Sequence, residues 1–207
     1  MIGIVDYDVG NLFSLRSSFA AIGERVVLCR TPKELNAVDK IVLPGVGAFG
    51  DAAKKLFSRG LAEAICQEAH SGKPLLGICL GMQLLLEVSY EYGEHKGLGL
   101  ISGEVRPIAD VVPPSYKIPH MGWNALQFTK PHPLFKNVRE GDHVYFVHSY
   151  YAANTPYAIA TAEYGAPLTA AVANKNVMGC QFHPEKSGEV GLSILKTFCG
   201  LQGEELC

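Results

Sequence analysis

Chemistry is concentrated in the run Gly77-Ile78-Cys79-Leu80-Gly81-Met82-Gln83, where a cysteine falls at the junction of an apolar segment and a helix-forming one. Pro74 to Ile78 reads as a short core strand, and Met82 to Glu87 as the start of a helix. Glycines two positions either side of Cys79 remove the Cβ atoms that would obstruct a sharp bend and the approach of a substrate carbonyl. Such a bend presents the thiol instead of packing it away. At a helix N-terminus the unpaired N–H groups and the macrodipole favour the thiolate, the form that attacks carbon.

The partners a thiolate needs stand near the other end of the chain, in Gln181-Phe182-His183-Pro184-Glu185-Lys186-Ser187-Gly188. In an extended segment residues two apart project to the same side, so Glu185 can fix the tautomer of His183 while the imidazole acts as base. Cys79, His183 and Glu185 form a catalytic set that only folding can assemble.

A second loop, Pro44-Gly45-Val46-Gly47-Ala48-Phe49-Gly50, follows the apolar run Ile41 to Leu43 and satisfies the spacing GxGxxG. A dinucleotide site would also need an acidic residue ending the next strand about 20 residues on. The acidic residue at that distance, Glu68, lies inside a helical pattern. The better use of the loop is as a backbone donor to a developing oxyanion: Leu80 N–H supplies one donor, Val46 or Gly47 the second. Glycines flanking Val46 tolerate either orientation of the intervening peptide, so the hole can open and shut.

These segments must be held by a larger frame. With 207 residues, 48% of them hydrophobic, the chain can bury one sizeable core, and a single domain spanning 1–207 is expected. Eighteen basic against twenty acidic side chains, with no Lys/Arg run, argue against nucleic acid. The N-terminus lacks an export signal and no apolar run is long enough to span a membrane, which places the protein in the cytoplasm. The six cysteines show no zinc-site or disulfide spacing, so no metal is expected and reduced thiols are the default. Cys29, Cys66, Cys180 and Cys199 read as core fillers, and Cys207 as incidental.

Over the first ninety residues short apolar runs (Ile2 to Val5, Arg25 to Leu28, Ile41 to Leu43, Leu75 to Ile78) alternate with helical patterns within Leu12 to Ile22, N-capped by Asn11, and within Ala52 to Ala69. That alternation predicts an α/β fold with parallel strands. From Leu98 onward strand-like runs succeed one another: Glu104 to Ile108, Ala125 to Phe128, Val144 to Val147, Ala158 to Ala162, Thr169 to Ala173 and Val177 to Phe182. This half predicts antiparallel pairing, closed by a helix over roughly Glu189 to Cys199.

GICLGMQ followed by HPE resembles the signature of the class I (triad) glutamine amidotransferases. The strings DYDVGNL (from Asp6), PGVGAFG, GLGL (from Gly97), IPHMGWN (from Ile118), YFVHSYY (from Tyr145) and HPEKSG look, together and in order, like the glutaminase subunits of imidazole glycerol phosphate synthase. The match spans nearly the entire chain. It implies a three-layer α/β/α, flavodoxin-like domain with a mixed central sheet, L-glutamine as substrate, no cofactor, and a (β/α)8-barrel cyclase partner that receives ammonia in histidine biosynthesis. By resemblance, Gln83, Glu91, Ser149 and Tyr150 bind glutamine, and Asn11, Met121, Trp123 and Lys186 face the cyclase. One departure is Asp8, where the family usually has glycine, so that loop raises the question of a positive φ.

The blander readings are distinct. His120 and His148 read as structural hydrogen-bonding residues, and His70, His95, His132 and His143 as surface or loop positions. Trp123 could be ordinary packing, and Lys186 merely solvated. Other triad amidotransferases, an inactive scaffold of the same fold, and a cysteine peptidase or γ-glutamyl hydrolase are the rival functions. Ammonia release from glutamine, against cleavage of a peptide or γ-glutamyl chain, separates the last of these.

Overall fold

A computed structural model describes residues 1–201; Cys207 lies outside them. In chain order the elements are β1 (Ile2–Val5), α1 (Leu12–Ala21), β2 (Val26–Cys29), α2 (Pro32–Asn36), β3 (Lys40–Leu43), α3 (Phe49–Ser58), α4 (Leu61–His70), β4 (Leu75–Ile78) and α5 (Leu80–Leu84). There follow β5 (Val88–Ser89), β6 (His95–Lys96), β7 (Glu104–Pro107), β8 (His120–Ala125), β9 (Gln127–Phe128), β10 (His143–His148), β11 (Tyr150–Ala153), β12 (Ala158–Glu163), β13 (Pro167–Asn174), β14 (Val177–Cys180) and α6 (Gly188–Gly200). No helix of the described residues is long and apolar enough to cross a membrane.

The main sheet has eight strands in the order β2-β1-β3-β4-β14-β13-β12-β9. The first five pair parallel and the rest antiparallel, so the sheet is mixed. The parallel strands are near-continuous apolar runs because both faces are covered. Alternate residues serve opposite cores: in β3, Ile41 and Leu43 enter a cluster with Leu56, Leu61 and Ile65 of α3 and α4, while Val42 packs with Leu15 and Phe19 of α1 and Ile194 and Phe198 of α6. The result is the expected α/β/α layering. Lys40, buried at the start of β3, donates to the carbonyls of Phe198, Cys199 and Leu201, satisfying the C-terminal end of α6.

Several boundaries differ from the sequence reading for identifiable reasons. The stretch Ala52 to Ala69 is two helices, α3 and α4, because Gly60 takes a left-handed φ of 68° and turns the chain. Helix α2 is held by a capping box in which Thr31 accepts from Glu34 N–H and Glu34 accepts from Thr31 N–H, a Ser/Thr-x-x-Glu signal present in the sequence. Asn11 caps α1 as expected, accepting from Ser14 N–H. Strand β8 is absent from the sequence reading; among the described residues it pairs only with β10, outside the main sheet, and its exposed Met121 and Trp123 hide the alternation of a core strand.

Parallel strands place their C-terminal ends along one edge, where ligands bind in open α/β sheets. There β3 leads into the Pro44–Gly50 loop, its neighbour β4 into Cys79, and the next strand, β14, into Gln181 and His183.

Candidate active site

Cys79 adopts φ 55° and ψ −112°, a conformation that L residues avoid and that marks a strained elbow between β4 and α5. Its N–H bonds Cys180 O at 2.8 Å, and its carbonyl accepts from Gln83 N–H at 3.2 Å to begin α5. The flanking glycines act on packing more than on substrate access. A Cβ on Gly81 would lie 1.9 Å from Leu43 O, and one on Gly77 would lie 2.7 Å from Gly81 O and Met82 N. The elbow is therefore pressed against the end of β3. Helix α5 starts at Leu80 rather than Met82 and is only five residues long, so little macrodipole is available and side chains must supply most of the electrostatics.

His183 and Glu185 are joined as expected: His183 Nδ1 lies 2.8 Å from Glu185 Oε1, with both side chains buried. Burial alone would lower the imidazole pKa. The hydrogen bonds to Cys79 and Glu185 and their negative charges outweigh it, pushing His183 up to about 10. With Nδ1 engaged by the carboxylate, Nε2 is the nitrogen left for the sulfur. The backbone that carries the ring is fixed too: His183 N–H bonds Tyr145 O, and Ser187 Oγ donates to His183 O while accepting from Tyr145 N–H.

Cys79 and His183 open onto a cavity of about 310 Å³, lined also by Val46, Gly47, Leu80, Gln83, Glu91, Ser149 and Tyr150. All four expected glutamine-binding residues and all three expected oxyanion donors thus share one pocket with the nucleophile and base. The loop carrying Val46 is pinned at both ends, by Tyr7 OH donating to Pro44 O at 2.7 Å and by Phe49 N–H donating to Glu91 Oε2 at 2.6 Å. Between the pins Val46 and Gly47 are exposed, and Gly47 has φ 90°. Gly45 is not free to flex, since a Cβ there would meet Gly81 N at 2.8 Å. Burial raises the Glu91 carboxyl, against the lowering effect of the Phe49 hydrogen bond.

Asn11, Met121, Trp123 and Lys186 lie outside the pocket and are exposed. Trp123 and Lys186 both pack against Tyr145, which joins them into one patch. His95 departs from its expected place: it forms β6, and its ring covers Gly50, where a Cβ would be only 2.7 Å from it. Missed in the sequence was Gln181, whose Nε2 lies 3.7 Å from Cys79 Sγ. Its position two residues before His183, on the same side of an extended segment, was the available signal. Among the described residues no three His, Cys, Asp or Glu side chains are grouped as a metal site.

A strained cysteine elbow at the carboxyl edge of a mixed sheet, with a His–Glu pair beside it, is the arrangement of a triad hydrolase of amides. The chain matches the model of the family Glutamine amidotransferase class-I over residues 4–200, and belongs to that family. Within that class its similarity is to "Imidazole glycerol phosphate synthase subunit HisH": 52% identity to the protein of Sulfurimonas denitrificans, covering 96% of this chain and 97% of that one. The corresponding protein of Wolinella succinogenes is 48% identical, covering 96% and 98%. The solved "Structure of PurLQS from Thermotoga maritima" shares the fold, with a TM-score of 0.75 at 20% identity over 96% of this chain and 97% of that one.

Proposed function

We propose that this chain, acting as a single glutamine amidotransferase domain, hydrolyses L-glutamine to glutamate and ammonia as the glutaminase subunit of imidazole glycerol phosphate synthase. Its ammonia passes to a (β/α)8-barrel cyclase subunit, which makes imidazole glycerol phosphate and aminoimidazole carboxamide ribonucleotide in histidine biosynthesis. The observation that carries this reading is the convergence of Cys79 and His183 on one pocket, with Glu185 bonded to the far nitrogen of His183, in a chain about half identical to HisH subunits over nearly its whole length.

The steps follow from the geometry. Cys79 Sγ attacks the side-chain amide carbon of glutamine, forming the S–C bond and moving an electron pair onto oxygen. Leu80 N–H and a donor from Val46 or Gly47 receive that charge. His183, protonated over the neutral range, gives its proton to the departing nitrogen; the C–N bond breaks and a thioester remains. The now neutral imidazole takes a proton from water, hydroxide adds to the thioester, and sulfur leaves as glutamate forms. Glu185 keeps the ring in the required tautomer throughout. Glu91 and the open Oε1 of Gln83 suit the substrate's ammonium group, and the Ser149–Tyr150 segment its carboxylate.

Ammonia released to bulk water becomes ammonium, which is no nucleophile, so a closed passage to the cyclase is chemically useful. Asn11, Met121, Trp123 and Lys186 form the docking face, and docking reorganises the Val46–Gly47 stretch between its two pins. A cytoplasmic setting keeps Cys79 reduced. The decisive experiment assays Cys79→Ala in the complex with glutamine and with ammonium salt. Loss of glutamine-dependent synthesis with ammonium-dependent synthesis retained is expected; equal glutamine-dependent synthesis by variant and parent would overturn the mechanism.

A further inference from the structure

The hydrogen-bonding role of Gln181 at the Cys79 sulfur can be deduced by elimination, because an amide's oxygen and nitrogen are assigned only through their partners. The Tyr150 carbonyl can only accept, so the Gln83 atom 3.1 Å from it is Nε2. The same nitrogen lies 2.9 Å from the Gln181 amide, which must present Oε1 there. The other end of that amide, facing Cys79 Sγ, is therefore the NH2 group.

A second run of bonds reaches the same carbonyl from β8. Asn124 Nδ2 donates to Glu163 O at 2.8 Å, an obligate acceptor, and to His120 Nε2 at 3.2 Å. Its Oδ1 accepts from Ala125 N–H, which confirms the orientation. His120 Nε2 thus carries no proton, and His120 Nδ1–H donates to His148 Nε2 at 3.0 Å. His148 Nδ1–H in turn donates to Tyr150 O at 2.8 Å. The two runs meet on one oxygen and occupy both its lone pairs. Burial lowers His120 to about 4 and His148 to about 3, so both rings stay neutral and ordered near pH 7.

We propose that Gln181 is a catalytic donor to the nucleophilic sulfur, held in the donating orientation by Gln83 and the Tyr150 carbonyl, with His148, His120 and Asn124 as positioning residues behind that carbonyl. This rests on reading Cys79 as the nucleophile. Gln181 and His183 bracket the sulfur from one strand extension, but they differ in chemistry. His183 surrenders its proton to the leaving nitrogen. Gln181 has none to surrender, so a donor stays on sulfur when hydrolysis of the thioester returns it as thiolate. An N–H donor to a charged acceptor is worth enough that its loss lowers turnover about tenfold to a hundredfold.

Two variants of the whole chain test this. Gln181→Glu keeps the shape but puts an acceptor against the sulfur, and Gln181→Met keeps the length without a donor. The readouts are the pH profile of Cys79 alkylation by iodoacetamide, and kcat and KM for glutamine in the complex with the cyclase. The other titratable groups around the sulfur are His183, Glu185, Tyr7 and Cys180, with His148 behind His183 and Glu91 across the pocket; all are unchanged in these variants. In both variants the alkylation profile should move to higher pH and kcat should fall while KM changes little. His148→Phe should move both in the same direction by less. Superimposable alkylation profiles with kcat within about twofold of the parent would overturn the assignment. If Gln181→Glu fails to give a cooperative melt, Gln181→Met alone decides. Cys79→Ala separates the layers: glutaminase activity surviving in it defeats the nucleophile reading itself, whereas an inactive Cys79→Ala beside unaffected Gln181 variants defeats only the donor.

Discussion

Three histidines pull this protein's stability in opposite directions with pH. His120 and His148 fall from 6.5 in the unfolded chain to about 4 and about 3 in the fold, so below pH 6.5 the unfolded state binds more protons and stability drops as acid is added. His183 runs the other way: raised to about 10, its contribution is fully present below pH 6.5 and disappears as pH climbs through 10. His120→Phe, which can keep the stacking on Phe146 and Tyr164, is expected to melt lower than the parent at pH 7 yet to lose less on acidification from 6.5 to about 4. Thermal denaturation across that range checks it, and parallel curves for variant and parent would contradict it. Asp8 belongs to this scale too. Its φ of 61° shows that the loop does use a left-handed position, and Asp is among the few side chains that tolerate one. An ion pair to Arg59 and a hydrogen bond from Lys55 to its carbonyl tie the residue to α3. The triad was legible because residue type and local spacing carry it. Gln181 was not, because a glutamine acquires a role only from what lies opposite its amide.

Elements with strong local signals emerged from the sequence near their observed limits: β1, β4, α1, β12 and α6 are set by apolar runs, caps and glycine punctuation. Those decided by distant partners did not. Strand β8 forms because β10 pairs with it, His120 opposite His148 and Trp123 opposite Tyr145, and its alternation sends Met121 and Trp123 outward while His120 turns inward. The elbow shows how tightly elements constrain one another. Gly81→Ala would drive a methyl into Leu43 O, a backbone atom that cannot step aside, and is expected to cost at least about 3 kcal/mol and to disrupt β4–α5. Gly47→Ala meets no atom within 4 Å but sits at φ 90°. It should change stability by only about 1 kcal/mol while altering glutamine turnover, because it biases the oxyanion loop and leaves the core untouched. Denaturant unfolding alongside kcat for both variants distinguishes the cases; equal destabilisation would show that the loop is part of the rigid frame.

For the molecule as a whole, the proposed docking face makes a separable claim. Trp123 is 55% exposed, so Trp123→Ala should change the chain's own stability by no more than about 0.5 kcal/mol. If Trp123 anchors the cyclase, the same change should weaken the complex by about 2 kcal/mol or more, measurable by calorimetric titration with the cyclase subunit. Unchanged affinity would move the interface elsewhere.

From the sequence alone came the reacting groups, the loop opposite them and the α/β frame, because each depends on residue type and on spacings of a few positions. Tertiary structure decided what surrounds the sulfur. The amide of Gln181 donates to it only because Gln83, Tyr150, His148, His120 and Asn124, drawn from three separated stretches, leave each of these buried polar groups a single way to be satisfied.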